Sequence, residues 1–189
     1  MNITYPDKLV SEKELMQLYA ESWPKYKDKR TSKGNPLPKT RTPRATNSLI
    51  APFSRVTPDA YYVAMDGDIL AGWTGWKKLE GNLYMTTGSA TIRDYMNKGI
   101  QKVLFDKRDA VFGNSGVIVT VNNPAEGWSD FVSRFYPLAK IQDIPEKYRE
   151  ALQESIDFYT EKGSVPKIYY RGPTEDNAME KAWGIIKMR

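Results

Sequence analysis

Leu15, Leu18, Tyr19 and Trp23 recur at helical spacing, which predicts an amphipathic helix over 12–23. Residues 11–14 read Ser-Glu-Lys-Glu, a capping box with Ser11 at the N-cap and Glu14 at N3. Val10 and Leu15 are spaced to staple that start, and Pro24 ends the helix. From Ala60 the period shortens. "AYYVAM", "ILAGWTGWKKL" and "LYMTTGSATI" are separated by Asp66-Gly67 and Gly81-Asn82, pairs that close antiparallel hairpins. A three-stranded meander over 60–92 follows. Trp73 and Trp76 stand three apart on its second strand. They face opposite sides if the strand is regular, with core packing as their simplest role.

Ile100, Val103, Leu104, Ala110 and Val111 return to helical spacing, predicting a helix over 99–112 that Gly113 and Gly116 close. "VIVTV" reads as a buried strand. "NNPAEGWSDFVSRFY" reads as a turn and a helix with Pro124 near its first turn, and "LAKI" as a short strand. A helix over 145–162 carries Tyr148, Leu152, Ile156 and Tyr159 on one face, and Gly163 stops it. "PKIYYR" predicts a strand, "EDNAMEKAWGIIKM" a last helix, and Asn47–Phe53 a weakly signalled helical turn. The helix over 99–112 joins two strands, which demands a parallel pair in an otherwise antiparallel sheet. The expected class is α/β, a mixed, mostly antiparallel central sheet flanked by helices. The length of 189 residues suits one domain, divided as 1–59, 60–140 and 141–189.

Composition narrows the chemistry. With 40% apolar and 12% aromatic residues the chain can bury a real core. It has no cysteine and no histidine, which excludes thiol nucleophiles, disulfides, Cys/His zinc sites and a histidine base. The lack of cysteine fits a reducing, cytoplasmic setting. No apolar run reaches membrane-spanning length, and the first residues lack a signal-peptide layout.

The net charge of +5 is concentrated. Lys25–Arg44 holds eight basic residues and one acid, Asp28, so the remainder is slightly acidic. Such a stretch favours a polyanionic partner through counterion release, and reads equally well as a solvated surface loop.

The joint order of meander, loop, helix, strand and Asn-containing turn over about 60–140 resembles the GNAT N-acetyltransferases. In that family the pattern Arg/Gln-x-x-Gly-x-Gly/Ala opens the central helix, whose first N–H groups hold the pyrophosphate of acetyl-CoA. The matching stretch is Met96-Asn97-Lys98-Gly99-Ile100-Gln101, flanked by Lys98 and Lys102. Gly99 matches; Met96 replaces Arg or Gln, and Gln101 replaces a small residue. Taken alone, Gly99 reads as a turn glycine. "VIVTVNNPA" is similar to the family's strand-Asn-x-x-Ala passage, with Asn122 and Ala125 in those places.

The resemblance implies acetyl-CoA as cosubstrate, bound by Met96–Lys102 and Asn122, with N–H groups of the third meander strand polarising the thioester. It also implies a tyrosine on the following helix that protonates the departing thiolate. Phe131 stands nearest that place, with Ser129 and Tyr136 as neighbouring hydroxyls. Tyr136 is the more acidic and so the catalytic candidate, with a core role as its alternative. Glu80 and Asp68 are carboxylates near the meander ends, and no base is assigned. Family topology places the basic stretch at the acceptor groove, making Lys29, Arg30, Arg41 and Arg44 candidates for an acidic or nucleic-acid-associated acceptor. The alternatives are an inactive module that binds nucleic acid, with Tyr26 available for stacking, or one that binds an acidic protein.

Overall fold

A computed structural model describes residues 2–30, 59–79, 82–121, 127–161 and 165–173. The described residues form two compact units, those within 1–77 and 86–111 and those within 78–85 and 112–173.

The first unit contains β1 (Ile3–Thr4), α1 (Glu12–Ser22), β2 (Ala60–Asp66), β3 (Ile69–Lys78) up to Lys77, β4 (Leu83–Thr91) from Thr86, and α2 (Ile100–Phe112) up to Val111. Its strands run in the order β1-β2-β3-β4. β1 is antiparallel to β2, with Ile3 opposite Asp66. β2 is antiparallel to β3, with a register break between Ala64 and Met65. The predicted capping box is formed: Glu14 N–H donates to Ser11 Oγ at 3.2 Å and Ser11 N–H donates to Glu14 Oε2 at 2.8 Å. α1 ends at Ser22, and Trp23–Lys25 continues as a 3-10 turn through Pro24. The buried Ser22 hydroxyl accepts from Leu70 N–H at 2.7 Å and donates to Leu18 C=O at 2.6 Å, tying the end of α1 to β3.

Leu15, Tyr19, Tyr61, Val63, Leu70, Trp73, Ile100 and Leu104 form the core of this unit. Trp73 meets Tyr19 of α1 edge-on at 6.3 Å, while Trp76 packs on Tyr62 at 5.3 Å. Thr74 is bonded from α2. Trp73 therefore faces α1, and its neighbour Thr74 faces α2, as strand alternation requires.

The second unit contains the start of β4, then β5 (Gly116–Val121), α3 (Trp128–Ser133), β6 (Leu138–Ala139), α4 (Glu146–Glu161) and β7 (Lys167–Arg171). Here the order is β4-β5-β7-β6, with β7 antiparallel to both neighbours. The seven strands make the expected mixed sheet. α3 stops after six residues, shorter than its sequence pattern suggested. The expected Asn47–Phe53 turn, Pro124 and the last predicted helix lie outside the described residues. Among the described residues no helix is long and apolar enough to cross a membrane.

Candidate functional site

The end of β4 hands the chain to α2 through a shaped loop. Ile92 N–H donates to Ala71 C=O at 2.9 Å. A 3-10 turn then covers Arg93–Tyr95, closed by Met96 N–H donating to Arg93 C=O at 3.2 Å. Asn97 has φ +61° and Gly99 φ +72°. Both lie in the left-handed region, which Gly occupies freely and Asn better than most residues. α2 starts at Ile100, and Val103 N–H donates to Gly99 C=O at 3.3 Å.

Residues 96–99 are exposed. A Cβ added at Gly99 would meet nothing within 4 Å, so the space beside the loop is open. The first N–H groups of a helix lack internal acceptors, and the helix dipole favours an anion there. No acidic residue occupies the first turn of α2. Lys98 lies 5.8 Å from the Tyr95 ring, and Lys102 pairs with Asp106 at 2.7 Å. The arrangement fits a phosphate.

Gln101 departs from the expected small residue, yet its side chain points away from the helix mouth. Its Nε2 donates to Ala90 C=O at 2.7 Å, to Thr91 Oγ1 at 2.9 Å and to Trp73 C=O at 3.3 Å. The place therefore tolerates bulk, because the bulk is spent on β3 and β4. Met96, at the expected Arg or Gln position, is 39% exposed.

β4 is itself irregular. Gly88 is buried in mid-strand with φ +62°. A left-handed residue inside a strand breaks the regular ladder and redirects the adjacent N–H groups, the signature of a bulge.

The start of the basic stretch is fastened to this loop. Asp94 accepts from Lys27 N–H at 2.7 Å and from Asp28 N–H at 3.0 Å. Asp28 in turn pairs with Arg93 at 3.0 Å and takes both Arg30 Nε at 2.8 Å and Nη2 at 3.0 Å. Arg30 beside Asp28 holds its carboxyl below the usual carboxylate range. The only acid of the basic stretch is thus its anchor. Lys29 Nζ lies 4.2 Å from the Trp23 ring. Arg41 and Arg44 lie outside the described residues.

Asp68 sits in the β2–β3 turn, bonded by Lys25, which depresses its carboxyl pKa. That charge pair suits a surface turn and makes Asp68 a poor proton acceptor. Tyr136 follows α3 rather than standing on it. It is buried in the second unit with the Arg171 guanidinium 5.5 Å from its ring. Phe131 stacks on Trp128 at 5.6 Å, and Ser129 offers its carbonyl to the Tyr169 hydroxyl at 3.1 Å. Asn122, Ala125 and Glu80 lie outside the described residues. Sequence reasoning missed Asp94, Arg93 and the Thr74–Arg108 contact. For Gly88 a signal existed, since a lone glycine inside a strand pattern marks a bulge.

No family model matches the sequence, and no curated protein does. The fold does have relatives among solved structures. PaiA N-acetyltransferase of Thermoplasma acidophilum, solved with coenzyme A, superposes with TM-score 0.51 at 14% identity, covering 91% of this chain and 99% of that one. A GNAT-family acetyltransferase of Staphylococcus aureus Mu50 gives 0.51 at 18% identity, covering 90% and 98%. N-acetylglutamate synthase of Neisseria gonorrhoeae, solved with coenzyme A and N-acetyl-glutamate, gives 0.52 at 13% identity and covers 90% of this chain. The chain spans only 35% of that synthase. At these identities the likeness is one of fold: the chain has the GNAT acetyltransferase fold.

Proposed function

We propose that this chain is an acetyl-CoA-dependent N-acyltransferase whose acceptor amine belongs to an acidic or nucleic-acid-associated molecule. One observation carries the first part: the open, cation-flanked mouth of α2 at Met96–Lys102, directly after a strand with a buried left-handed glycine. Such a mouth takes a pyrophosphate, and a bulged strand offers N–H groups to an acyl oxygen. The fold's likeness to acetyltransferases solved with coenzyme A agrees with this reading.

In the reaction a neutral amine forms a bond to the acyl carbon as the carbon–sulfur bond breaks, the amine loses a proton and the sulfur gains one. The N–H groups of Asn97–Lys102, beside Met96 whose own N–H is spent on Arg93 C=O, hold the anion together with Asn122. N–H groups beside Gly88 polarise the acyl oxygen, a contribution of about 10²–10³ in rate for one such donor elsewhere. Tyr136 is the proposed proton source for the thiolate. Lys29, Arg30, Arg41 and Arg44 attract the acceptor.

A second reading has one observation in its favour. The start of the basic stretch, residues 25–30, is rooted by the Asp94 and Asp28 contacts, which suits polyanion binding without catalysis. Calorimetric titration with acetyl-CoA separates the two. The first reading expects micromolar binding that Lys98→Glu weakens. Absence of binding by the parent protein removes the acyltransferase reading and leaves the polyanion-binding one.

A further inference from the structure

Arg108 is 0% exposed, the largest fully buried side chain among the described residues. A guanidinium does not deprotonate in proteins, and burying its charge is costly unless its donors are used. One donor is committed to the sheet: Arg108 Nη1 donates to Thr74 Oγ1 at 2.9 Å. Thr74 is itself fully buried, and its hydroxyl lies 2.7 Å from Ser89 Oγ. The guanidinium carbon sits 4.0 Å from the Phe105 ring centre, and Nε lies 3.4 Å from Asp109 Oδ1. The relay Arg108–Thr74–Ser89 therefore runs from α2 through β3 to the residue next to Gly88.

The donor inventory fixes the direction of its first step. Arg108 can only donate, so Thr74 accepts from it, and either hydroxyl can be the donor in the Thr74–Ser89 bond that continues the relay. Two turns earlier on the same face of α2, Gln101 donates to Ala90 C=O and Thr91 Oγ1. α2 thus grips β4 through Ser89, Ala90 and Thr91, the three residues that follow the left-handed Gly88.

We propose that Arg108, acting through Thr74 and Ser89, is a positioning residue that holds the Gly88 bulge so that its N–H groups stay aimed at the acyl oxygen. This rests on the acyl-CoA reading above and adds to it the device that fixes the acyl-polarising backbone. The placement explains why α2 buries an arginine where an amphipathic helix ordinarily buries an aliphatic side chain. A charge-assisted donor fixes a hydroxyl in one orientation, which aliphatic packing cannot do. Displacement of such a group by 1 Å costs about 10²-fold in rate.

The test uses Thr74→Val, which keeps the shape and removes the hydroxyl, Thr74→Ser, which restores it, and Arg108→Met. Two readouts are taken on each folded protein. The first is hydrogen exchange of the Gly88 and Ser89 amides by NMR without ligand. The second is the carbonyl stretch of bound acetyl-CoA carrying ¹³C in the thioester. The expected result is faster exchange in Thr74→Val and loss of most of the carbonyl downshift seen in the parent. Acetyl-CoA affinity stays within about twofold, and Thr74→Ser recovers both signals. If Arg108→Met fails to fold, Thr74→Val and Thr74→Ser decide alone. Unchanged exchange and an unchanged carbonyl stretch in Thr74→Val, with acetyl-CoA bound, overturn the positioning role and leave the acyltransferase reading standing. Faster exchange in Thr74→Val with a parent that binds no acetyl-CoA overturns the acyl purpose of the relay together with that reading.

Discussion

The Asp94 carboxylate takes two backbone N–H groups from residues 66 and 67 positions away. Asparagine keeps one acceptor oxygen, so Asp94→Asn loses one of the two bonds and the charge behind both. A partly exposed bond of this kind is worth about 1 kcal/mol. The variant is expected to lose about that much in a urea melt and to speed amide exchange at Lys27 and Asp28; protected amides there would count against the anchor. Gly99 makes the complementary case, because its φ of +72° rather than any crowding resists a side chain. Gly99→Ala is expected to cost about 1 kcal/mol through backbone strain alone, read as a lower unfolding midpoint. Tyr136→Phe probes the proposed proton source. General-acid loss typically lowers turnover about 10²–10⁴-fold, so thiol release from acetyl-CoA should fall on that scale with affinity unchanged. Undiminished release makes Tyr136 a core residue. The turn at Gly99 was legible because its left-handed backbone is a local matter. Asp94 and Arg108 were not, because a sequence window cannot show partners 67 and 34 positions away.

At the scale of elements, legibility followed the same division. α1 was readable from four residues, since a capping box is completed within its own first turn. β1 was invisible: two residues have no period, and the strand exists only because β2 offers an edge at Met65 and Asp66. α2 was found in the right place. Its buried face was only half right, because a helical pattern assigns an arginine to water and cannot see the Thr74 hydroxyl that draws Arg108 inward. The α1 cap also sets a pH response. The Ser11 N–H, then Lys8 and the Ser11 hydroxyl, lower the Glu14 pKa from 4.5 to about 2. A carboxyl depressed in the folded state stabilises fully above its unfolded pKa and loses that contribution as pH falls toward its folded pKa. The window is therefore from about pH 4.5 down to about pH 2. Glu14→Gln should flatten the acid loss of stability across that window while lowering stability at neutral pH, measured by denaturant melts at stepped pH. Asp7, Asp28 and Asp68 are depressed by basic neighbours as well, so the variant should flatten the curve only in part.

For the whole molecule, the question is whether its two anion-attracting features serve one ligand or two. The mouth of α2 draws on helix N–H groups, and the stretch after Lys25 draws on side-chain charge. Counterion release makes the second sensitive to salt, with log K falling by about 0.7 per phosphate contact per decade of salt on single strands. Neutralising Lys29, Arg30, Arg41 and Arg44 together would remove about 2.8 from that slope if all four touched phosphate. Arg30 already gives two bonds to Asp28, so it has less to offer a phosphate than its neighbours. The expected loss is therefore nearer three contacts, about 2 in slope, measured by single-stranded RNA binding across a salt series. Acetyl-CoA affinity should stay within about twofold, because the open space at Gly99 and the N–H groups of α2 are untouched. A parallel fall in both affinities would mean that the basic stretch reaches the coenzyme itself, and the acceptor would then need no negative charge. An unchanged RNA slope would return the stretch to a solvated surface and leave the acceptor class open to amines of any charge.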